Sequence, residues 1–143
     1  MQCFQIRLRL FPAVLAVGVA LPALAAEPFG VWTTSDGESR MKISACGADK
    51  LCGNLVGFSE PNDANGPKRD AANADPALRQ RPLMGVPVLL GLTRKGELWQ
   101  GKMYNPEDGK TYDGSFSLKS PTTAEIRGCV AAIFCQSEKF VRQ

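Results

Sequence analysis

Residues 39–58, SRMKISACGADKLCGNLVGF, decide the fold because they contain two β-strand patterns joined by a turn. Apolar and polar residues alternate in the first half, and a period of two places them on opposite faces of a strand. Residues 47–50 can reverse the chain, so the stretch predicts an antiparallel hairpin. The predicted inward face of its first strand comprises Met41, Ile43 and Ala45.

The second strand of this hairpin carries Gly53 and Gly57 on the same face as Leu51 and Leu55. Glycine within a strand often permits a bend or a bulge, and a tightly curved barrel requires such bends. This hairpin therefore favours a closed sheet over a flat one.

Similar patterns along the chain predict eight short strands, separated by turn signals such as Asn105-Pro106-Glu107-Asp108-Gly109. The predicted strands are residues 29–34, 39–45, 51–58, 86–93, 97–104, 111–119, 122–130 and 136–142. Strands in hairpin sequence form a meander, and closing the meander removes its exposed edges. The predicted fold class is all-β, a single antiparallel eight-stranded up-and-down barrel with a long loop between strands 3 and 4.

The first 25 residues have the pattern of a secretory signal peptide. Arg7 and Arg9 precede an apolar run over residues 10–24, and Ala23-Leu24-Ala25 is a small-x-small cleavage site. We therefore expect residues 26–143 to form one domain in the periplasm or outside the cell, without stable membrane insertion. Cleavage lowers the formal charge from +3 to about +1, which does not indicate a nucleic-acid partner.

Four cysteines follow the predicted cleavage site, in two pairs with the same spacing. Four cysteines allow three pairings, and the sequence alone does not select one. The turn at 47–50 favours Cys46–Cys52 and Cys129–Cys135, each worth roughly 2 kcal/mol in the chain-entropy description. A four-thiolate zinc site is the alternative, although structural zinc ligands usually lie closer together in sequence.

Residues 59–85 form a polar, proline-marked segment that is typical of a functional lid or a flexible linker. Within it, Asp75 is a predicted cap for one helical turn that begins at Pro76. Arg79 and Arg81 have two interpretations. Their guanidinium groups either bind a carboxylate or phosphate at the barrel mouth, or pair with Asp70 and Asp75 and hold the segment in place.

Catalytic and metal chemistry find little support among these residues. The chain has no histidine, and disulfide-bonded cysteines provide no thiolate nucleophile. Carboxylate pairs such as Glu107 and Asp108 lie in turns that already explain them. The oxygen donors of the 59–85 segment lack the order of a calcium loop, and Lys68 and Arg69 lie among them. We therefore predict a protein that is not an enzyme and uses no cofactor or metal.

Several motifs resemble known families. Gly30-Val31-Trp32 resembles the G-x-W signature of lipocalin barrels, which implies that Arg142 or Arg127 packs across Trp32. More specific motifs follow one another over nearly all of residues 26–143: Cys46-Gly47, Leu51-Cys52-Gly53, the run Asn73-Ala74-Asp75-Pro76-x-Leu78-Arg79-x-Arg81-Pro82-Leu83-x-Gly85, Trp99-x-Gly101, Tyr104-Asn105-Pro106-x-x-Gly109-Lys110-x-Tyr112 and Arg127-Gly128-Cys129. Together they resemble the bacterial secreted family known as domain of unknown function 2147 (DUF2147). The resemblance implies a small periplasmic, lipocalin-like barrel without a known activity.

An eight-stranded barrel either is filled by side chains or holds one small ligand. The leading hypothesis is a binding protein for a small, partly apolar molecule beneath the 59–85 segment. Two alternatives stay open, an envelope protein-interaction module with a filled interior and a carboxylate-dependent hydrolase. The candidate ligand-binding residues are Arg79, Arg81, Trp99, Tyr104, Tyr112 and Arg127, and the candidate structural residues are Trp32, Asp75 and Arg142.

Overall fold

Eight antiparallel strands form a closed barrel in the computed structural model, which describes residues 26–143. In chain order the strands are β1 (Gly30–Thr34), β2 (Ser39–Ala45), β3 (Lys50–Phe58), β4 (Asn62–Asp63), β5 (Gly66–Pro67), β6 (Pro87–Lys95), β7 (Leu98–Asn105), β8 (Lys110–Ser120), β9 (Thr123–Val130) and β10 (Phe134–Arg142). Strands β4 and β5 form a separate small hairpin, and a 3-10 helix spans Pro76–Leu78. The predicted signal segment, residues 1–25, lies outside the described residues. Within the described part, no helix has the length and hydropathy needed to cross a membrane.

The barrel closes because β1 pairs with β2 along one edge and with β10 along the other. Its order is β1-β10-β9-β8-β7-β6-β3-β2, in which β3 pairs with β6 across the long connection. The eight strands predicted from the sequence are confirmed, with ends that shift by at most two residues. The sequence does not predict the β4–β5 hairpin, because strands of two residues show no alternation.

Aromatic side chains fill one end of the barrel. The fully buried Trp32 packs edge-on against Phe116 with 6.0 Å between ring centroids, and Phe116 contacts Trp99 at 5.9 Å. The Arg142 guanidinium lies 4.4 Å from the centroid of the Trp32 ring and donates a hydrogen bond to the backbone oxygen of Phe29. Of the two arginines that the family resemblance implies, Arg142 therefore covers the tryptophan. This contact stabilises the junction of the first and last strands by about 1 kcal/mol.

Each disulfide bridges one hairpin. Cys46–Cys52 spans the β2–β3 turn, and Cys129–Cys135 spans the β9–β10 turn, where the two cysteines lie opposite each other in register. The structure thus confirms the pairing that the turn at 47–50 favours. The zinc alternative is wrong, because all four sulfurs are held in covalent bonds.

A buried carboxylate fixes the long connection between β3 and β6. Asp70 is fully buried, and Arg81 contacts its Oδ2 through Nε at 2.8 Å and through Nη2 at 2.7 Å. Asn73 Nδ2 donates to the same oxygen at 2.8 Å, and the Tyr104 hydroxyl donates to Oδ1. Because Tyr104 belongs to β7, this cluster attaches the connection to the barrel wall.

The hydrogen bonds decide the ionisation of Asp70. Burial by itself would raise the pKa of Asp70, but the donors on Tyr104, Asn73 and Arg81 outweigh burial and hold this pKa below its ordinary value. The carboxylate is therefore charged at neutral pH and fully paired, which is the arrangement that makes a buried charge tolerable.

The two arginines of the connection are both used within it. Arg81 binds Asp70, while Arg79 Nε donates to the backbone oxygen of Asn73 at 2.8 Å. Asp75 instead caps the 3-10 helix, so the predicted helical turn is present with Asp75 at its N-terminus. The interpretation that the arginines hold the segment in place fits these contacts better than anion binding at the mouth.

We expect Asp70→Asn to lower the free energy of unfolding at pH 7 by about 3 kcal/mol, because it leaves the Arg81 charge without its partner. The folded-state pKa of Asp70 lies below its unfolded value, so its contribution is present above the unfolded pKa and is lost as the pH falls through the folded pKa. The free energy of unfolding can be measured with urea at pH 7 and at pH 3. The difference between Asp70→Asn and the unsubstituted protein should be smaller at pH 3.

Asp75→Asn is the matched control, since asparagine caps a helix about as well as aspartate. Its unfolding free energy should stay close to that of the unsubstituted protein at both pH values. Equal losses for the two variants would show that Asp70 does not anchor the connection.

The β7–β8 turn packs directly on the same connection. Gly109 has a φ of +70°, and a Cβ there would lie 1.8 Å from the backbone oxygen of Ala72. Glycine is thus required at this position both by conformation and by space.

We expect Gly109→Ala to destabilise the fold by about 3 kcal/mol, because the methyl group must displace backbone. Gly37→Ala is the control, since Gly37 has a φ of +80° with open space around it. This substitution should lower the free energy of unfolding by only about 1 kcal/mol, through backbone strain. Urea unfolding measures both, and a loss at Gly109 no larger than the loss at Gly37 would contradict the close packing.

Candidate functional site

The barrel is hollow at the end opposite the aromatic cluster. A cavity of about 1300 Å³ opens to solvent there, between the β1–β2, β7–β8 and β9–β10 turns and the start of the β3–β6 connection. Its floor is apolar, because strand alternation directs hydrophobic side chains inward. The floor residues are Met41, Leu55, Val88, Leu89, Met103, Ile126 and Phe140.

Small residues leave the space that the cavity occupies. Gly128 lies on the same face of β9 as Ile126 and lines the cavity without adding a side chain. On the neighbouring strand, a Cβ at Gly114 would lie 2.0 Å from the terminal methyl group of Met103. The inward glycines therefore let the floor residues pack closely while the upper half of the barrel remains open.

The mouth of the cavity is acidic. Asp36 and Glu38 come from the β1–β2 turn, Glu107 and Asp108 from the β7–β8 turn, Glu60 from the connection and Glu138 from β10. Among the described residues that line the cavity, Lys68 supplies the one positive charge. The chain as a whole carries a formal charge of +3, so the negative charge at this mouth is a local concentration.

Glu138 differs from the other acids because it lies on a strand. It is two residues from the buried Phe140, so alternation places both side chains on the inner face of β10. The barrel walls partly desolvate the carboxylate while the open mouth keeps it accessible to solvent. Burial, followed by the charges of Asp36, Glu107 and Glu38, raises the pKa of Glu138 above its ordinary value.

Two tyrosines on neighbouring strands also line the cavity. Burial and the hydrogen bond to Asp70 raise the pKa of Tyr104. The Tyr112 hydroxyl donates to Asp108, and that bond raises the pKa of Tyr112. Both phenols therefore remain neutral at physiological pH and are oriented by carboxylates.

The residues proposed for ligand binding separate into two groups. Tyr104 and Tyr112 line the cavity, whereas Arg79 and Arg81 are bound within the connection and do not. Arg127 is exposed on the outer face of β9, where it alternates with inward residues. Its side chain therefore points away from the interior, and it neither lines the cavity nor caps the barrel floor.

Trp99 lies at the other end of the barrel. Its ring is buried beneath the Arg94 guanidinium, 5.0 Å from the ring centroid, and it borders a small cavity of about 180 Å³ near Glu27 and Lys50. A ligand in the large cavity would not touch this indole, because the residues that line that cavity do not include it.

The main residues that sequence reasoning missed are the acids of the mouth. The turn motif at residues 105–109 accounts for Glu107 and Asp108 without a binding site. Glu138 had a detectable signal, since it shares strand parity with Phe140. The grouping of these acids depends on which turns meet at one end of the closed barrel, and that requires the strand order.

Comparisons with known proteins agree with this architecture. The sequence profile of a family described as an uncharacterized protein conserved in bacteria (DUF2147) matches residues 30–142. No curated protein matches the sequence. Among solved structures, the Helicobacter pylori protein HP1028, described as belonging to the lipocalin family, has a TM-score of 0.70 at 23% identity, over 83% of this chain and 84% of that one. This likeness shows a shared fold, and because the profile covers all eight barrel strands, the chain belongs to the DUF2147 family of uncharacterised bacterial proteins.

Proposed function

We propose that the protein binds a small, partly apolar molecule inside the barrel, beside residues 59–85, and does not transform it chemically. The observation that carries this proposal is the cavity of about 1300 Å³ with a hydrophobic floor and a polar mouth. Ligand sites are usually concave, mostly apolar and larger than roughly 300 Å³, with a few polar groups that orient the ligand. Residues of the β3–β6 connection form part of the wall, among them Ser59 and Leu83.

The alternatives receive less support from the same geometry. A protein-interaction module with a filled interior needs side chains where this barrel has open space. A hydrolase needs two carboxylates placed around a scissile bond. Asp36 and Asp108 instead accept hydrogen bonds from the turn residues around them, which explains their position without catalysis.

We also propose export to the periplasm or beyond, as the signal-like segment predicts. Two disulfides in a bacterial protein support this location, because disulfides form and persist in oxidising compartments. The ligand would then be a molecule that the protein meets in the cell envelope or outside it.

Binding can be measured with N-phenyl-1-naphthylamine, an uncharged probe whose fluorescence rises in apolar surroundings. We expect saturable fluorescence with the unsubstituted protein. Gly128→Leu should weaken the probe's affinity at least about tenfold, because the added side chain fills the upper cavity next to Ile126.

Arg127→Leu is the matched control, since it introduces the same side chain one residue away on the outer face of β9. Its affinity for the probe should match that of the unsubstituted protein. No saturable binding to the unsubstituted protein, or equal affinity in the Gly128 variant, would contradict a ligand site inside the barrel.

A further inference from the structure

We propose that the ligand of this cavity is an organic cation, with an apolar body that rests on the floor and an ammonium or guanidinium group that lies among the carboxylates of the mouth. This inference rests on the proposed function and specifies its ligand class. Its basis is the combination of a large cavity that has an apolar floor with a mouth of nearly uniform charge sign.

The charge of the mouth is large for a chain of this composition. Among residues 26–143, six of the fourteen acidic residues line the cavity, against one of the fifteen basic residues that remain when Arg7 and Arg9 are left out. A cleft with low-dielectric walls and one sign of charge concentrates oppositely charged solutes. An anionic ligand would have to pass this ring of carboxylates, so the mouth selects against anions as well as for cations.

Glu138 supplies a solvent-accessible contact for a cation at the mouth of the cavity. Its carboxylate lies on the inner face of β10 opposite Ile126, and none of the groups in residues 26–143 forms a hydrogen bond or an ion pair with it. Asp36, Glu38 and Glu107 face it with charges of the same sign. Partial burial beside like charges is unfavourable in the empty barrel, and a bound cation would relieve both effects.

The arrangement of the acids favours an organic cation over a metal ion. The carboxylates come from two turns, the long connection and β10, and no three acidic or cysteine side chains among the described residues converge closely enough to hold a metal. A diffuse charge on an ammonium or guanidinium group can interact with all of them at once. Tyr112 lies opposite the inward-facing Met103, so its ring provides a face inside the cavity on which a cation can stack.

The inference reverses the anion-binding expectation for Arg79 and Arg81. Both guanidinium groups are held within the connection, by Asn73 and Asp70 respectively, and neither lines the cavity. The charged groups that a ligand would meet are therefore the carboxylates of the mouth and Lys68.

The test uses three compounds with the same ten-carbon chain, each below its micelle concentration, as competitors of N-phenyl-1-naphthylamine. We expect decyltrimethylammonium to bind more tightly than decanol and at least tenfold more tightly than decyl sulfate. Raising NaCl from about 50 mM to about 500 mM should weaken the binding of decyltrimethylammonium and leave the affinity for decanol unchanged, because salt screens the carboxylates.

The outcomes separate this inference from the proposed function. If the probe and decanol bind, but decyltrimethylammonium binds no more tightly than decanol or decyl sulfate, the proposed charge selectivity is wrong. The cavity is then still a binding site. If neither the probe nor any competitor binds, the proposed function itself fails. Displacement by calcium chloride at equal ionic strength would overturn the organic-cation assignment in favour of a metal site.

Glu138→Gln tests the contact assigned to Glu138. We expect it to lower the affinity for decyltrimethylammonium about fivefold and to change the affinity for decanol less than twofold, since only the charge is removed. Glu125→Gln is the matched control, because Glu125 lies on the outer face of β9 and pairs with Lys119 at 3.3 Å. It should change neither affinity more than twofold.

Thermal unfolding at pH 7 provides a readout that a merely structural role would not give. The folded-state pKa of Glu138 lies above its unfolded value, so the charged residue disfavours folding once the pH exceeds the unfolded pKa. Glu138→Gln should therefore raise the melting temperature while it weakens cation binding. A variant that loses stability, or binds the cation as well as the unsubstituted protein does, would overturn the role assigned to Glu138.

Discussion

The pairing of β1 with β10 is the constraint on which the rest of the structure depends. Without it the eight strands would form an open sheet with two exposed edges, and no interior would exist. Backbone hydrogen bonds between β1 and β10 close the barrel. Arg142 reinforces this junction by covering Trp32 and by donating hydrogen bonds to backbone oxygens of the segment before β1. The first and last segments of the described chain are thus held together by one side chain, which explains why an arginine near the carboxyl end matters to a tryptophan near the start of the barrel.

Closure alone does not determine whether the interior is filled, because that depends on where large and small side chains fall along the strands. Trp32, Trp99 and Phe116 occupy one end and leave little space there. At the other end, two inward positions are the glycines Gly114 and Gly128, and the floor consists mainly of methionines and branched aliphatic side chains together with Phe140. The same eight-stranded sheet is therefore packed like a protein core in one half and hollow in the other.

Much of the fold follows from local patterns in the sequence. Alternation predicts the eight strands, the short spacing across a turn favours the observed disulfides, and Asp75-Pro76 predicts the one helical turn of the long connection. The candidate site follows less directly. Two of the six residues proposed for ligand binding, Tyr104 and Tyr112, line the cavity, whereas the orientation of Arg127 and the partner of Arg81 depend on register and on contacts between distant segments. Local sequence patterns do not predict the acidic mouth for the same reason. Its residues come from separate segments that lie at one end only because the barrel is closed.

Two carboxylates of this barrel show how structural and functional charges can be distinguished. Asp70 is the more deeply buried, yet its pKa is lowered, because three neighbouring side chains donate hydrogen bonds to it and its charge is satisfied within the protein. Glu138 is less buried, yet its pKa is raised, because the charges around it are negative and its carboxylate lacks a donor among the described residues. A satisfied charge contributes to the stability of the empty protein, whereas an unsatisfied one reduces that stability unless something else binds it. Because Glu138 lies at the acidic mouth of an open cavity with an apolar floor, a cationic ligand is the partner that would complete its interactions.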